Sequence, residues 1–166
     1  MRRELTPPLS SLTHGVYVIG VSAFNQKNAF TASWLMQSSF DPPLLALSIN
    51  PAHKSYPLLT AGGFFSVNVL GKQQTDWVLH FGTPLRENKL ATVEWHEAGS
   101  GVPILDAALA WFECEVVGEF PSGDHILVLG KIVNSELLDS MGLPLEYHEV
   151  SAIDPFTNSP PSTEKP

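Results

Sequence analysis

The chain has 166 residues, 43% of them hydrophobic, which suits one domain with its own core and is short for two. Its formal net charge of −8 at pH 7 and only nine Lys and Arg argue against nucleic acid as a partner, because phosphate neutralisation needs a basic face. No apolar run approaches the ~20 residues that span a bilayer and the first residues lack the apolar segment of a signal peptide, so we expect a soluble, cytoplasmic protein without a membrane partner.

The first part of the chain is predicted to be mainly β-structure. Residues 16–21 form a short β-rich run, and the small and polar residues 22–27 indicate a loop after it. Residues 30–40 keep a mixed pattern that ends at the turn-forming residues 41–43. Residues 44–49 are almost continuously apolar, which is typical of a buried strand.

Two short helices are predicted further along, with a strand between them. Residues 55–61 begin with a serine suited to the N-cap, carry a proline in the first turn and end at a pair of glycines. Residues 64–70 alternate as a strand does. Residues 73–81 place Trp, Val and Phe at helical spacing before Gly82.

The last part of the chain predicts a β-hairpin and a tail. Residues 83–88 and 94–103 are rich in polar residues, Gly and Pro and are expected to be loops. Two long β signals, 108–120 and 126–136, flank a segment with strong turn chemistry, so they should pair antiparallel. Residues 154–166 are rich in Pro, Ser and Thr; we expect a domain at 1–153 and a disordered tail after it.

The predicted elements indicate an all-β fold. Strands outnumber helices, the helices are short, and strands do not alternate with long helices, which favours a barrel with helical inserts over a Rossmann sheet. The glycines form no GxGxxG fingerprint, so any dinucleotide would bind without it.

The sequence indicates neither a reactive thiol nor a metal site. Its single cysteine, Cys114, shares one strand face with Phe112 and Val116, so we interpret it as a buried, unreactive thiol. The spacing of the six histidines matches no metal-site template, and no metal is expected.

Residues 28–50 combine strand-like sequence with an unusual density of small polar side chains. A strand that only builds a core needs alternation alone, whereas hydroxyl and amide groups at this density suit a polyhydroxy, phosphate-bearing ligand. We therefore interpret this segment as the floor of a cofactor site. The polar residues in question are Asn28, Thr31, Ser33, Gln37, Ser38, Ser48 and Asn50.

The order of several motifs resembles the flavin reductase-like family. The motifs are HGVYVIGV, NAFTASWLMQSSFDPPLLALSIN, GGFFSVNVLGKQQ, GVPILDAALAWFECEV, and SGDH followed by ILVLGKIV, and they extend over about residues 14–147. The resemblance implies an FMN-binding split β-barrel, expected here as a Greek-key-like barrel of six strands. It also implies an NAD(P)H:flavin oxidoreductase that binds FMN, or FAD, uses NAD(P)H as co-substrate, forms a homodimer and serves a partner monooxygenase or electron acceptor.

The resemblance also implies which residues hold the flavin. Thr31, Ala32 and Ser33, between Asn28 and Trp34, would line the isoalloxazine ring. Ser48, Asn50, Lys54 and Ser55 would surround the phosphate, with Lys54 as the cation and Ser55 at a helix start that favours an anion. The alternative is that Ser55 only caps its helix and Lys54 is a solvated surface charge.

Further positions are implied around the same ligand. His80, Phe81 and Lys89 would form a second wall near the phosphate or ribityl end, although Phe81 is equally suited to the core and His80 to a helix end. His125 would lie over the flavin where the nicotinamide stacks, and Tyr147 would close the pocket, unless they are a solvated loop side chain and an aromatic cover of the barrel. These two are the candidate catalytic residues.

Two departures from the usual family pattern keep other functions open. Trp34 places an indole where many members have a small residue and would narrow the substrate side, and Glu146 and Glu149 are unfavourable beside a polyanionic nicotinamide nucleotide. A non-catalytic flavin-binding or electron-transfer module that works with a partner protein is therefore the main alternative. A related split barrel that binds haem or oxidises a pyridoxine phosphate is a third.

Overall fold

The computed structural model describes residues 8–83 and 88–153, and its secondary structure is mainly β. The strands are β1 (Tyr17–Ala23), β2 (Gln26–Ala32), β3 (Leu35–Phe40), β4 (Pro43–Ile49), β5 (Phe64–Val69), β6 (Trp95–Glu97), β7 (Pro103–Leu105), β8 (Ala110–Ser122) and β9 (His125–Leu137). The α-helices are α1 (Tyr56–Gly62) and α2 (Thr75–Gly82), and 3-10 helices cover Lys89–Thr92 and Tyr147–Glu149. In the described part of the chain, no helix is both long and apolar enough to cross a membrane.

Seven strands form one antiparallel sheet in the order β2-β1-β5-β8-β9-β4-β3, and β6 pairs with β7 separately. The expected count of six strands is therefore wrong. The mixed stretch 30–40 is not one unit, because the chain leaves β2 at Ala32 and starts β3 at Leu35. β3 is an edge strand with no buried residue, so it lacks the apolar alternation that would have separated it in the sequence.

Two segments expected as loops contain strand structure. Residues 22–27 continue β1 into β2 through a two-residue turn in which Phe24 and Asn25 have φ of 54° and 57°, the left-handed backbone of a type I′ hairpin. Residues 94–103 contain β6 and the start of β7, joined by a turn with Gly101 at φ 88°. Each of these two strands has only three residues, too few to produce a recognisable period.

The strongest local signals are confirmed. α1 starts after Ser55 and ends at Gly63, which has a left-handed backbone with φ 69°, and α2 ends where Gly82 was expected to end it. The β8-β9 hairpin forms around Gly123, whose φ is 68°. Residues 84–87 of the predicted 83–88 loop and the predicted tail at 154–166 lie outside the described residues.

Strands that lie far apart in the sheet order contribute side chains to the same buried core. Phe30 of β2 belongs to the same buried cluster as Leu47 and Ile49 of β4, although four other strands separate β2 from β4 in the sheet. The sheet must therefore curve strongly to bring these strands together. Cys114 lies in this cluster with no exposed surface, and burial, with a smaller effect of Glu113, raises its pKa to about 12.

A second feature of the core is a buried polar layer between β5 and β7. Asn68 has no exposed surface; its Oδ1 accepts the Leu105 N–H at 2.8 Å, and its Nδ2 donates to the Val18 carbonyl at 3.0 Å. The equally buried Ser66 hydroxyl donates to the Pro103 carbonyl. The bonds to Leu105 and Pro103 give these buried side chains partners and attach β7 to the large sheet.

Candidate functional site

A cleft of about 550 Å³ lies where the end of β2, the end of β4 and the start of β9 come together. We call it the β2-β4 cleft. Its walls combine apolar and aromatic side chains with hydroxyl, amide and imidazole groups. The residues that line it are Phe30, Thr31, Ala32, Ser33, Trp34, Ser48, Ile49, Asn50, Ala52, His53, His125 and Tyr147.

The link between β2 and β3 forms one wall of the cleft. β2 and β3 are the two edges of the seven-stranded sheet, so among the described residues each pairs with a strand on one side alone. The Thr31 hydroxyl donates to the Val78 carbonyl at 2.9 Å, which holds α2 against β2. The Ser48 N–H donates to the Trp34 carbonyl at 2.9 Å and fixes the link against β4.

A tight turn after β4 forms the opposite wall. The Asn50 side chain accepts the Ala52 N–H at 2.9 Å, and the Asn50 carbonyl accepts the His53 N–H at 2.9 Å. This is an Asx turn, the arrangement in which an Asn oxygen replaces a backbone acceptor. The turn carries the backbone and side chains of residues 50–53 along the cleft.

His53 is a cleft residue that the sequence analysis did not single out. Its ring packs on Phe30 with the ring centroids 4.4 Å apart, and its Nδ1 accepts the Ser55 N–H at 3.1 Å. Burial lowers the pKa of His53 to about 4, and the positive charge of Lys89 adds to this. The imidazole is therefore neutral at pH 7. Its place between Asn50 and Ser55, within the segment assigned to the phosphate, was the available signal.

His125 and Trp34 meet on the side of the cleft nearest to solvent. Their ring centroids are 4.9 Å apart at an interplanar angle of 47°, and the indole is 52% exposed. Asp124 holds the imidazole from behind, with its Oδ1 2.8 Å from Nδ1 of His125. Two residues predicted separately, one for the flavin side and one for the nicotinamide side, thus contact each other.

Tyr147 reaches the cleft from the 3-10 helix Tyr147–Glu149. Glu146 and Glu149 form a capping box around this turn, and the Glu146 N–H lowers the pKa of Glu149. The Glu149 carboxylate also lies 3.4 Å from the Lys72 ammonium, and Glu146 lies 3.2 Å from Nδ1 of His148. Both carboxylates are therefore engaged in holding the segment that presents Tyr147.

Two predicted flavin residues contact each other beside the cleft and do not line it. Ser55 has no exposed surface, and its Oγ accepts a hydrogen bond of 2.9 Å from Nδ2 of Asn28. Its side chain makes no cap bond to α1, which has only seven residues. Lys54 is exposed and adjoins the lining residue His53 along the chain.

Of the residues in the predicted second wall, Phe81 and Lys89 are buried and His80 is half-buried. Phe81 has no exposed surface and belongs to a buried cluster, which confirms the alternative that it is a core contact. Lys89 is 6% exposed, and its Nζ donates to the Phe81 carbonyl at 2.7 Å. Nε2 of His80 lies 2.7 Å from the Lys89 carbonyl. These bonds join the end of α2 to the 3-10 helix Lys89–Thr92, and none of the three residues lines the cleft.

The chemistry of the cleft suits a flavin nucleotide. Phe30, Ala32 and Ile49 offer apolar surface to a flat ring, while Ser33, Ser48 and Asn50 offer hydroxyl and amide groups. None of the described lining residues is Lys or Arg, so within this part of the chain a phosphate would be held by neutral donors. The described residues contain no group of three or more His, Cys, Asp or Glu placed to hold a metal ion.

Comparison with known sequences identifies the family. The family model described as the flavin reductase like domain matches residues 9–152. The chain belongs to the flavin reductase-like family. The resemblance inferred from the ordered motifs is thereby confirmed.

Individual relatives carry related names. The chain is 33% identical over 135 residues to a protein of Rhizobium meliloti (strain 1021) named probable flavin reductase, a match that covers 81% of this chain and 43% of that protein. It is 29% identical over 153 residues to the NADH-dependent FMN reductase AsuE2 of Streptomyces nodosus subsp. asukaensis, with 89% and 81% covered. The solved structure of BorF, the flavin reductase component of a bacterial two-component tryptophan halogenase, is similar at a TM-score of 0.78 and 28% identity, with 87% of this chain and 99% of that chain covered.

The matched relatives differ in length. The chain spans less than half of several curated relatives that it matches, with 43%, 44% and 26% of their lengths covered. The family membership therefore concerns a domain that also occurs within longer proteins.

Proposed function

We propose that this protein is an NAD(P)H-dependent flavin reductase, an oxidoreductase that binds FMN, or FAD, in the β2-β4 cleft. The observation that carries the proposal is this cleft, built from the β2-β3 link and the end of β4 in a chain of the flavin reductase-like family. The name of AsuE2, an NADH-dependent FMN reductase, supports both the cofactor and the co-substrate.

The bound flavin would supply the redox chemistry, since it accepts hydride from a nicotinamide ring. The residues of the chain then have to orient the two ligands and exclude water. Backbone N–H groups of residues 31–34, which line the cleft, would stabilise the negative charge that develops on the reduced ring. Ala32 and Ser33 are small, which leaves room for the ring to approach that backbone.

Other residues would lie near the phosphate of the flavin nucleotide. Ser48 and Asn50 line the cleft and contribute hydroxyl and amide groups, while Lys54 adds a positive charge through solvent. Asn28 and Ser55 act indirectly, because their mutual hydrogen bond ties β2 to the start of α1. His80, Phe81 and Lys89 hold the end of α2 in place behind the cleft.

The nicotinamide side of the site is assigned to His125 and Tyr147, as the family resemblance implies. Both side chains line the cleft, and Asp124 positions the imidazole of His125. The engagement of Glu146 and Glu149 in local bonds reduces the electrostatic conflict with a polyanionic nucleotide that their sequence positions suggest.

Three finer features belong to the same proposal. The curvature that brings Phe30 to Leu47 supports closure of the sheet into a split barrel. The edge strand β3 exposes 61% of Met36 and 88% of Phe40, which supports a homodimer that covers it. The name of a relative, the reductase component of a flavin-dependent trigonelline monooxygenase, supports a partner monooxygenase as electron acceptor, and a place in the cytoplasm belongs to the same proposal.

The decisive experiment is NADH and NADPH oxidation by the purified protein with FMN or FAD, followed at 340 nm against a blank without protein. Turnover above the blank with at least one pairing is expected, and none with any pairing would refute the reductase. Bleaching of the bound flavin under anaerobic conditions separates the alternative: an electron-transfer module bleaches only when a partner reductase is added. An absorption spectrum with a Soret band would point to the haem-binding barrel of the third class, and one without flavin bands after incubation with FMN would refute flavin binding.

A further inference from the structure

Residues 143–150 bring Tyr147 to the β2-β4 cleft, and we call this segment the strap. Residues on both sides of Tyr147 are anchored in one buried cluster, because Leu145 is 1% exposed and Val150 is 2% exposed. The Tyr147 N–H donates to the His14 carbonyl at 2.8 Å. The strap is therefore fixed to the core before and after the turn that presents the phenol ring.

Side chains hold the turn between these two anchors. It is a 3-10 helix of three residues, a type of helix whose hydrogen-bond geometry is poorer than that of an α-helix. Glu146 and Glu149 form a capping box across it, in which Oε2 of Glu149 accepts the Glu146 N–H at 3.0 Å. The other carboxylate oxygen of Glu149, Oε1, lies 3.4 Å from the Lys72 ammonium. One carboxylate thus closes the turn and attaches it to Lys72.

Lys72 lies on a firmly bonded loop that follows β5. The Gly71 N–H donates to Oε1 of Gln74 at 2.8 Å, and the Gln74 side chain is buried. The Lys72 N–H donates to the Leu143 carbonyl at 3.0 Å. The backbone of Lys72 therefore bonds the start of the strap, while its ammonium reaches Glu149 near the end.

The strap contributes a single residue, Tyr147, to the cleft lining. Lining residues 30–34 come from β2 and the β2-β3 link, and residues 48–50 come from the end of β4 and the position after it. A looser strap would leave these residues in place. Its main effect would fall on the side of the cleft that Tyr147 closes.

We propose that Lys72 is a positioning residue for the nicotinamide side of the site. Its ion pair with Glu149 fixes the turn that presents Tyr147, and this raises the affinity for the nicotinamide nucleotide more than the affinity for the flavin. The inference rests on the proposed function, which assigns the nicotinamide side to His125 and Tyr147. It gives Glu149 a favourable role, although an isolated carboxylate would repel a polyanionic nucleotide.

Two substitutions separate positioning from charge. Lys72→Met removes the ammonium and keeps an unbranched apolar chain, while Glu149→Gln removes the carboxylate charge and keeps an oxygen that can accept the Glu146 N–H. If Glu149 acted through its charge alone, Glu149→Gln would lower KM for the anionic nucleotide. If the ion pair positions Tyr147, Glu149→Gln raises KM as Lys72→Met does. The sign of the change in Glu149→Gln therefore decides between the two.

The kinetic assay measures KM and kcat for NADH and NADPH at saturating FMN. KM should rise about two- to fivefold in Lys72→Met and in Glu149→Gln, the range for an exposed ion pair, with kcat nearly unchanged. Lys72→Arg should keep KM near the wild-type value. In a Tyr147→Ala background Lys72→Met should add nothing to the rise in KM, because its effect passes through Tyr147. The dissociation constant of FMN, measured by fluorescence quenching, should change less than KM.

A second measurement tests the strap without relying on activity. In hydrogen exchange followed by mass spectrometry, peptides that cover residues 143–150 should exchange faster in Lys72→Met than in wild type. Lys27→Met is the matched control, since it breaks a 3.0 Å ion pair with Glu97 and neither residue lines the cleft. Lys27→Met should leave both KM and the exchange of the strap unchanged.

The outcomes distinguish this inference from the proposed function. If wild type oxidises NADH or NADPH but Glu149→Gln lowers KM, or Lys72→Met raises KM equally in the Tyr147→Ala background, the positioning role is wrong while the reductase proposal stands. Unchanged exchange of the strap in Lys72→Met overturns the positioning role as well. If Lys72→Met does not fold, KM and exchange in Glu149→Gln decide. Wild-type protein that neither binds nor oxidises either nucleotide overturns both.

Discussion

The contact between Trp34 and His125 leads to a prediction about substrate access. If the nicotinamide stacks beside His125, the indole has to give way, because the two rings already lie 4.9 Å apart. Replacement of Trp34 by Ser should then raise kcat/KM for the nicotinamide nucleotide, measured at saturating FMN. The resemblance to the flavin reductase-like family implies a small residue at this position, so a serine should suit the β2-β3 link.

The size of the effect follows from the geometry of the pair. An aromatic pair contributes about 0.5–1.5 kcal/mol beyond the burial of area, which corresponds to about a 2- to 12-fold change in an equilibrium constant. Moving the indole away from His125 costs about this free energy. Trp34→Ser removes the cost, so kcat/KM for the nicotinamide nucleotide should rise by up to the same factor. Because 52% of the indole is already exposed, little burial is lost, and the melting temperature should change only modestly.

The assay compares Trp34→Ser with Trp34→Phe and with a control tryptophan away from the cleft. Trp77 packs on Phe81 at 5.8 Å between centroids, so Trp77→Phe should leave kcat/KM unchanged. Trp34→Phe should give an intermediate value. A fall in kcat/KM for Trp34→Ser would show that the indole assists the substrate, and the reasoning would have to be abandoned.

The remaining predictions concern the supports of the site. Thr31→Val should lower the free energy of unfolding by about 1 kcal/mol, because the Val78 carbonyl loses its donor. The dissociation constant of FMN should stay nearly the same. A large loss of FMN binding without destabilisation would contradict this structural role of the Thr31 hydroxyl. Lys54→Glu should weaken FMN binding at low salt and less at 0.5 M salt, and calorimetry that finds no salt dependence would remove Lys54 from the site. Cys114, with its pKa raised to about 12, should resist iodoacetamide at pH 8 until the protein is unfolded, and rapid native labelling would show that it is not buried. The pKa of His53 is about 4 in the folded protein against 6.5 ordinarily. Its contribution to the free energy of unfolding is therefore complete above pH 6.5 and is lost as the pH falls towards 4. In urea titrations across this range, the free energy of unfolding should decline less in His53→Gln than in wild type.

Much of the fold could be predicted from local sequence. The β8-β9 hairpin, α1 and α2 each have a turn or cap signal next to a clear period, and all three form as expected. The edge strand β3 and the short strands β6 and β7 have no such period. Their existence depends on pairing with distant segments, which sequence periodicity does not record.

Several residues that the sequence predicts for the site lie together at the cleft. Residues 31–34 line the cleft as a continuous link, and Ser48, Asn50, His125 and Tyr147 join them there. The second wall predicted from α2 stays a prediction, and the structure shows that Phe81 packs in the core. A helical period tells which residues share a face but not whether that face meets a ligand or the core, and here it meets the core.

The density of small polar residues was a weaker indicator of a ligand than it first suggested. Ser66 and Asn68 of β5 show the same pattern of polar groups among apolar ones, yet both are fully buried and bond only within the protein. Within residues 28–50 the Thr31 hydroxyl likewise serves the backbone of α2.

The position of a polar residue in the sheet separates the two cases. A polar side chain in a central strand such as β5 is enclosed by neighbours and must find its partners among them. Where the edge strand β2 ends, its backbone pairs with β1 on one side alone, and the hydroxyl and amide groups near that end line the cleft. Polar residues next to the predicted end of an edge strand therefore indicate a binding site better than their number does. His53 follows the inner strand β4, and it reaches such an edge through the contact of its ring with Phe30 of β2.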